Sequence, residues 1–393
     1  MHQLKNDIYW TGYIDWDLRI FHGYSTPEGS TYNAYLLPDE KPTLIDTVKY
    51  YGFDEMLTRI REVIDPERIE YIVSNHTEMD HSGSIDKLLE ICPNAEVVCS
   101  PKGAEGLSRH FKKNWKLKVV NNGDKLKIGK KTLQFFLMPM VHWPDSMATY
   151  VVEDKVLLPN DAFGQHYASF ERYADEAGID LVMEAAAKYY ANIVLPYGAQ
   201  VQKVLAALQG LDIEMIGPSH GLIWRRKEDI ARIVTAYKKW SAYESDKRVT
   251  IVYDTMWHST ESMALKLIEL LEKESIPCMR MNLSLTHISD AMTQVMNSKV
   301  VLIGSPMLNN HVLPTIGGFL TYLKGLKPKN RYAASFGSYG WAAIGFKELE
   351  ESIKEAGMEL ITEGRYIKFI PDENELAGLS VIVEKIKEVL NRE

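Results

Sequence analysis

Cysteine is scarce. Cys92, Cys99 and Cys278 are the only three in 393 residues, too few and too scattered for a disulfide framework. No Cys-x-x-Cys pair is present to hold zinc or an iron–sulfur centre. A reducing cytoplasm is the compartment this fits. No apolar run approaches the roughly twenty residues a membrane helix needs, and the first twenty residues are broken by charges, without the apolar centre of a secretory signal. Positive charge is also short. The net charge is −8 and the basic residues form no long run, which disfavours nucleic acid or an anionic membrane as partner and leaves a small-molecule enzyme as the expectation. The length is too great for one ordinary domain and fits two, each burying its own core.

The pattern changes character near residue 245. Before it, "TYNAYLLPDEKPTLIDT" and "KLKIGKKTLQFFLMPM" each set two apolar runs about a polar turn and read as hairpins. After it, "RVTIVYD", "SKVVLIGS" and "RYAASFGS" alternate with helical patterns such as "ESMALKLIELLEKE", as parallel strands with crossover helices do. The charged stretch 238–248 is the expected linker. Domains of 1–246 and 247–393 follow.

Four potential metal ligands fall within six positions of "NHTEMDHSG", namely His76, Glu78, Asp80 and His81. An apolar strand, Ile69 to Val73, runs directly into them, and a helical pattern follows, so they sit on a loop leaving the carboxyl end of a strand. His76 and Glu78, two apart in an extended segment, point to one side while Asp80 and His81 turn toward a second point. One metal for each pair is one reading. The other is a polar loop that caps a helix through Asp80 or Ser82.

Three further stretches favour metal. "PMVHWPDS" offers His142, "VLLPNDAFG" offers Asp161 and "MIGPSHG" offers His220, each a single ligand-type residue in a Pro/Gly turn after an apolar run. A site at one edge of a sheet sandwich requires that kind of convergence. His2, His110, His258, His287 and His311 lack the pattern and read as surface or packing residues. His166 is ambiguous, and His22, in "RIFHGYS", is a candidate to line the pocket without a spacing argument of its own. Asp46, in "TLIDT", reads either as a residue orienting a ligand loop or as a plain turn aspartate.

In the second half, "RVTIVYDTMWHSTESMALKLIELL" is a strand, a hydroxyl-rich loop and a helix. Amides and hydroxyls at Thr255, Met256, Ser259 and Thr260 crowd a helix amino terminus and suit one phosphate. The loop is neither the Gly-x-Gly-x-x-Gly of a dinucleotide site nor a triphosphate loop with its lysine, so a mononucleotide is implied. "IGSPMLNN" and "SFGSYGWAA" follow later strands, at the carboxyl ends where an open α/β sheet binds ligands.

In their order, "NHTEMDHSG", His142, Asp161 and "PSHG", preceded by "NAYLLPDEKPTLIDT", resemble the metallo-β-lactamase fold, with Glu78 where its hydrolases usually carry a second histidine. The later loops resemble the isoalloxazine-binding loops of flavodoxins. There Trp257, Tyr339 and Trp341 are candidate walls, Asn309 and Asn310 polar contacts, and Gly337, Ser338 and Gly340 further cofactor-binding candidates. Met307 departs from the usual small polar residue. Over essentially the whole chain the pattern is similar to that of the flavodiiron proteins. The resemblance implies an N-terminal αββα sandwich of metallo-β-lactamase type plus a C-terminal flavodoxin-like, doubly wound parallel sheet. It implies His76, Glu78 and His142 on one iron, Asp80, His81 and His220 on the other, and Asp161 bridging. In some members the histidine equivalent to His81 swings away. It further implies FMN, reduction of O2 or NO, and a head-to-tail homodimer or dimer of dimers. With no rubredoxin-like cysteine pairs in the chain, electrons are expected from a separate donor, rubredoxin or reduced F420.

The chemistry agrees. Glu78, Asp80 and Asp161 bring three anionic side chains to two metals, and hard oxygen donors compensate the charge of a pair that changes valence better than neutral nitrogen does. Zinc needs no such provision. A zinc hydrolase with an appended flavodoxin module, and a flavin carrier with a vestigial metal half, are the competing expectations. Choice between the two gases is expected to rest on residues near the site such as His22, Tyr190 or Tyr197.

Overall fold

Alternating side chains build the first half. The structure is a computed structural model that describes residues 2–392. Seven strands form one sheet in the order His2–Lys5, Ile8–Trp10, Tyr35–Leu37, Thr43–Ile45, Tyr71–Ser74, Glu96–Cys99 and Leu117–Val119. It is antiparallel as far as Thr43–Ile45 and parallel beyond. A second sheet runs Lys125–Lys127, Thr132–Leu137, Met147–Val151, Val156–Leu158 and Met215–Ile216. Tyr35, Leu37, Ile45, Val73 and Val98 face Leu133, Phe135, Met147 and Leu158 in one buried cluster. Their sequence neighbours Leu36, Leu44, Ile72 and Val97 pack the other way, against Met56, Leu57 and Ile60 of the helix Phe53–Arg61 and against Leu88 and Leu107. A strand with both faces buried must be largely apolar, and these are, with polar residues only at the ends, Thr43, Ser74 and Glu96. Truncating Phe135, wholly buried between the layers, would cost about 3–5 kcal/mol.

Both expected hairpins form. Tyr35–Leu37 pairs antiparallel with Thr43–Ile45, and Lys125–Lys127 with Thr132–Leu137. The layered sandwich is the one the family resemblance implies, and the parallel sheet the one the sequence pattern implies.

The second half is a parallel sheet in the order Cys278–Asn282, Asp246–Tyr253, Ser298–Leu308, Tyr332–Tyr339, with Glu359–Leu360 and Arg365–Lys368 both beside the last. The first strand in sequence lies inside, between the second and third. The order therefore reverses at Asp246–Tyr253, and the crevice at such a reversal is where this architecture takes ligands. Helices Ser259–Lys273 and Ser380–Asn391 cover one face through Met263, Leu267, Ile382 and Ile386.

The chain divides into two packed units, but not by one cut. The first holds residues up to Tyr189 together with Ala199–Lys238, the second Tyr190–Gly198 and everything from Lys239. Asn192 donates to the Ser289 carbonyl at 3.1 Å and accepts from the Tyr322 hydroxyl at 2.8 Å, and the Tyr243 hydroxyl donates to the Leu195 carbonyl at 3.1 Å. The stretch 238–248 is no free linker. It ends the helix Lys227–Ser241 and begins the strand Asp246–Tyr253, because its apolar residues Trp240 and Tyr243 are buried. No helix among the described residues is long and apolar enough to cross a membrane.

Candidate metal centre and ligand cavity

The strand Tyr71–Ser74 lies inside the larger sheet, between Thr43–Ile45 and Glu96–Cys99, and its carboxyl end delivers His76 and Glu78. The chain then makes one helical turn, Met79–Ser82, that carries Asp80 and His81. Neither this turn nor the helix Ile85–Ile91 after it takes a side-chain cap, so the polar residues are not spent on capping. Donor atoms of His76, Glu78, His142 and Asp161 all lie within 4.8 Å of one another, and so do those of Asp80, His81 and His220. His142 and Asp161 leave the ends of the strand regions of the smaller sheet, and His220 follows Met215–Ile216.

Asp161 joins the two groups. Its Oδ2 is 3.1 Å from His142 Nε2 and 3.6 Å from His76 Nε2, while its Oδ1 is 3.1 Å from His81 Nε2 and 3.3 Å from His220 Nε2. Glu78 Oε2 stands 3.2 Å from His76 Nε2, and Asp80 Oδ2 stands 3.2 Å from His220 Nε2. Yet both Asp80 oxygens, Asp161 Oδ2 and His81 Nε2 are buried without a hydrogen bond of proper geometry. Buried carboxylates left in that state cost several kcal/mol unless a cation stands among them. The donor set, three carboxylates and four imidazoles, fits two hard or borderline divalent ions.

Electrostatics in the metal-free site says the same. Burial alone would push the Asp161 carboxyl up, but the rings of His81, His142 and His220 hold it well below the usual range. Asp80 is lowered likewise, against burial, by His81 and His220. Burial would lower His220, yet Asp161 and Asp80 push it up to about 10. His76, despite burial, is raised by Asp145 and Glu78. Protons hold opposite charges together where metal would.

The ligand loops are anchored by residues of three other segments. Asp46 Oδ1 accepts the Asn75 amide at 2.8 Å, and its Oδ2 accepts the side-chain amides of Asn75 and Asn160 at 3.0 and 3.1 Å. One carboxylate thus ties the loop before His76 to the loop before Asp161. Asp145 Oδ2 lies 3.0 Å from His76 Nδ1, and His220 Nδ1 donates to the Thr31 carbonyl at 2.8 Å. His81 Nδ1 has no such partner.

Sequence reasoning missed Asp145 and Thr31, which carry no spacing signal. It also left out His166. That ring is buried, 4.7 Å from the His220 ring, with Nδ1 2.7 Å from the Ser30 hydroxyl. Burial, then the neighbouring His220, push it well below the usual imidazole range. His22 does reach the site, with Nε2 2.8 Å from Glu78 Oε1. The tyrosines differ from expectation. Tyr190 packs on Trp240 in the second unit, and Tyr197 belongs there too; Tyr189 is the residue whose ring lies 6.0 Å from that of His220. One residue of phase on a helix decides which neighbour faces inward.

In the second unit a cavity of about 720 Å³ opens at the carboxyl ends of the strands. Met256, Trp257, Ser259, Met307, Asn309, Asn310, Ser338, Tyr339, Gly340 and Trp341 line it, joined by Phe369 and Ile370, which the sequence did not point to. Thr260 lies behind the wall, its hydroxyl 2.9 Å from that of Ser338. Gly337 packs so closely that a Cβ would stand 2.1 Å from the Ser305 carbonyl. Thr255 Oγ1 is buried with no partner, and the helix Ser259–Lys273 has no side-chain cap. Uncapped amides and an orphan hydroxyl make an anion cradle. Trp257 and Trp341, 86% and 87% exposed, flank the cavity with bare ring faces. A phosphate on one side and a planar apolar ring on the other fit it.

Comparison with known proteins gives two family matches, ODP family beta lactamase over residues 31–221 and flavodoxin over residues 251–379. The nitric oxide reductase of Moorella thermoacetica is 41% identical, covering 98% of this chain and 97% of its own. The solved rubredoxin oxygen:oxidoreductase of Desulfovibrio gigas superposes with a TM-score of 0.97 at 37% identity, over 100% of this chain and 98% of that one. The solved flavodiiron protein of Giardia intestinalis gives 0.94 at 34%, over 98% and 96%.

Proposed function

This chain belongs to the flavodiiron protein family, and we propose that it reduces dioxygen to water, nitric oxide to nitrous oxide, or both, at a non-haem diiron centre fed by FMN. The observation that carries the reading is the division of Asp161, one oxygen toward each of two donor groups. His76, Glu78 and His142 are proposed for one iron and Asp80, His81 and His220 for the other. The diiron domain is proposed within residues 1–246, apart from Tyr190–Gly198 and the residues from Lys239, which pack with the FMN domain of 247–393. Two ferrous ions and a reduced flavin together supply the four electrons that dioxygen needs, or the two that a pair of nitric oxide molecules needs.

The chain's own residues supply the rest. Asp145 and the Thr31 carbonyl take the Nδ1 protons of His76 and His220, which fixes the tautomer that turns each Nε2 inward. Asp46 holds two ligand loops at once. His22, over half exposed and 2.8 Å from Glu78, stands between that ligand and solvent. In the other unit Thr255, Ser259 and the first amides of the helix would hold the FMN phosphate, and Trp257, Tyr339 and Trp341 its ring.

Rubredoxin or another external carrier is the donor, as the name of the Desulfovibrio gigas neighbour states for that protein. A cytoplasmic location, and a head-to-tail homodimer or dimer of dimers in which each flavin serves the neighbouring iron pair, complete the proposal. The bare rings of Trp257 and Trp341 support a partner surface there.

Metal and flavin analysis of anaerobically purified protein, followed by stopped-flow oxidation with each gas, tests the reading. Two irons and one FMN per chain with rapid gas consumption are expected. Stoichiometric zinc with hydrolytic turnover would overturn it.

A further inference from the structure

A file of tyrosines connects the metal centre to the surface of the first unit. Tyr32, fully buried, sets its ring edge-on to His220 with centroids 5.7 Å apart. Tyr51, 39% exposed, lies 6.3 Å from Tyr32, and Tyr50, 62% exposed, lies 5.2 Å from Tyr51. The polar ends converge as well. Tyr32 donates to Asp15 Oδ2 at 3.2 Å, Tyr51 donates to the same oxygen, and the two phenol oxygens are 3.3 Å apart. Asp15 is itself buried. Above both rings stands the Lys49 ammonium, 5.7 Å from the Tyr32 centroid and 5.3 Å from that of Tyr51.

Packing alone would be served by phenylalanine. Phenols that share a buried carboxylate are arranged to lose protons to it, and oxidation of a phenol is the event that demands this, since electron and proton must leave together. The lysine sharpens the demand, because its charge opposes a positively charged ring a few ångströms away. A neutral radical is then the only form the site tolerates.

The geometry points to Tyr32, Tyr51 and Tyr50 as a relay that carries an oxidising equivalent from the metal centre to solvent when the flavin has no electron left to give. This rests on the reductase reading above. Tyr32 gives one electron to the oxidised centre and its phenol proton to Asp15, becoming a neutral phenoxyl radical. Tyr51 then gives an electron to Tyr32 and its proton to Asp15, which returns the first proton to Tyr32. Tyr50 supplies the next electron, releasing its own proton to water, while Asp15 reprotonates Tyr51. A small thiol from solvent donates a hydrogen atom to the Tyr50 radical, and two thiyl radicals so formed close as a disulfide. Per electron, the centre is reduced by one, one thiol becomes half a disulfide and one proton is released. The relay would spare the metal ligands from oxidation in substrate excess.

Holoenzyme with its irons ferrous and its flavin oxidised, two electrons short of what dioxygen needs, is mixed with excess dioxygen in the absence of donor, frozen at successive times and read by electron paramagnetic resonance, with iron and flavin contents matched across variants. A radical signal that narrows on labelling with ring-deuterated tyrosine is expected. Tyr32→Phe should abolish it and Tyr51→Phe should lengthen its lifetime by cutting the route outward; in a separate steady-state run with limiting donor and excess dioxygen, Tyr51→Phe should inactivate in several-fold fewer turnovers. A wild type that consumes dioxygen without any tyrosyl signal, or a Tyr32→Phe signal undiminished, overturns the relay and leaves the reductase reading intact. A wild type that consumes neither gas overturns both.

Discussion

Asp145 Oδ2 receives two donors at once, the His76 ring nitrogen Nδ1 at 3.0 Å and the Thr77 amide at 2.7 Å. The second bond fixes the carboxylate and the first fixes the ring, so His76 Nε2 has no freedom but to face Glu78 and Asp161. Removing the negative charge while keeping the shape isolates this effect. Asp145→Asn should fold, bind FMN normally and hold iron about 10–100-fold more weakly. Titration with ferrous iron in the presence of a competing chelator measures it. Unchanged iron affinity would reduce Asp145 to a packing role.

Glu78 tests the acidic ligand set directly. Its Oε2 faces His76 and His142 while Oε1 meets His22. Glu78→Ala should retain flavin and its reduction by the donor, and lose gas consumption by more than the roughly 10–100-fold that loss of an orienting partner costs. Were gas consumption to persist in this variant, the chain would act only through its flavin.

The metal-free protein should depend on pH in a defined sense. His220 is raised from the ordinary 6.5 to about 10 by Asp161 and Asp80 against the opposing effect of burial. A group raised on folding stabilises fully below its unfolded value, and that contribution is lost as pH climbs through the folded one. Thermal stability of the metal-free protein should therefore fall between about pH 6.5 and 10, and the metal-loaded protein should not follow. Metal must also displace these protons, so ferrous iron added at neutral pH in weak buffer should acidify the solution, and more so than at high pH. Uptake with no proton release would contradict the charge state argued for His220.

Trp341 offers the cleanest test of the flavin cavity, since its ring is 87% exposed and holds no core together. Trp341→Ala should leave folding intact. Loss of one stacking face, worth about 0.5–1.5 kcal/mol, weakens FMN up to roughly tenfold. Fluorescence titration of the flavin-stripped protein reads the change, and an unaltered affinity would place the ring outside the site.

Legibility in the sequence followed distance along the chain. His76, Glu78, His142, Asp161 and His220 each lie two to five residues beyond an apolar strand, so strand periodicity and a local turn marked them without tertiary knowledge. Asp145 and Thr31 act on residues 69 and 189 positions away, and nothing local distinguishes an aspartate that orients a histidine from one that ends a turn. The helical turn Met79–Ser82 was hidden for another reason. A four-residue helix among ligands has no period to detect. In the flavin half, loop chemistry revealed the cavity, whereas Phe369 and Ile370 stand before the turn "PDEN" in a stretch without the hydroxyls or glycines that marked the other loops.

The nine residues Tyr190–Gly198 belong to the packed body of the second unit although they are encoded in the first half of the gene. A flavin module excised at the apparent boundary would leave a hole where Asn192 ties Ser289 to Tyr322. Anyone transplanting that module as a cassette would have to supply the missing peptide separately, and would find that the two halves were never independent parts to begin with.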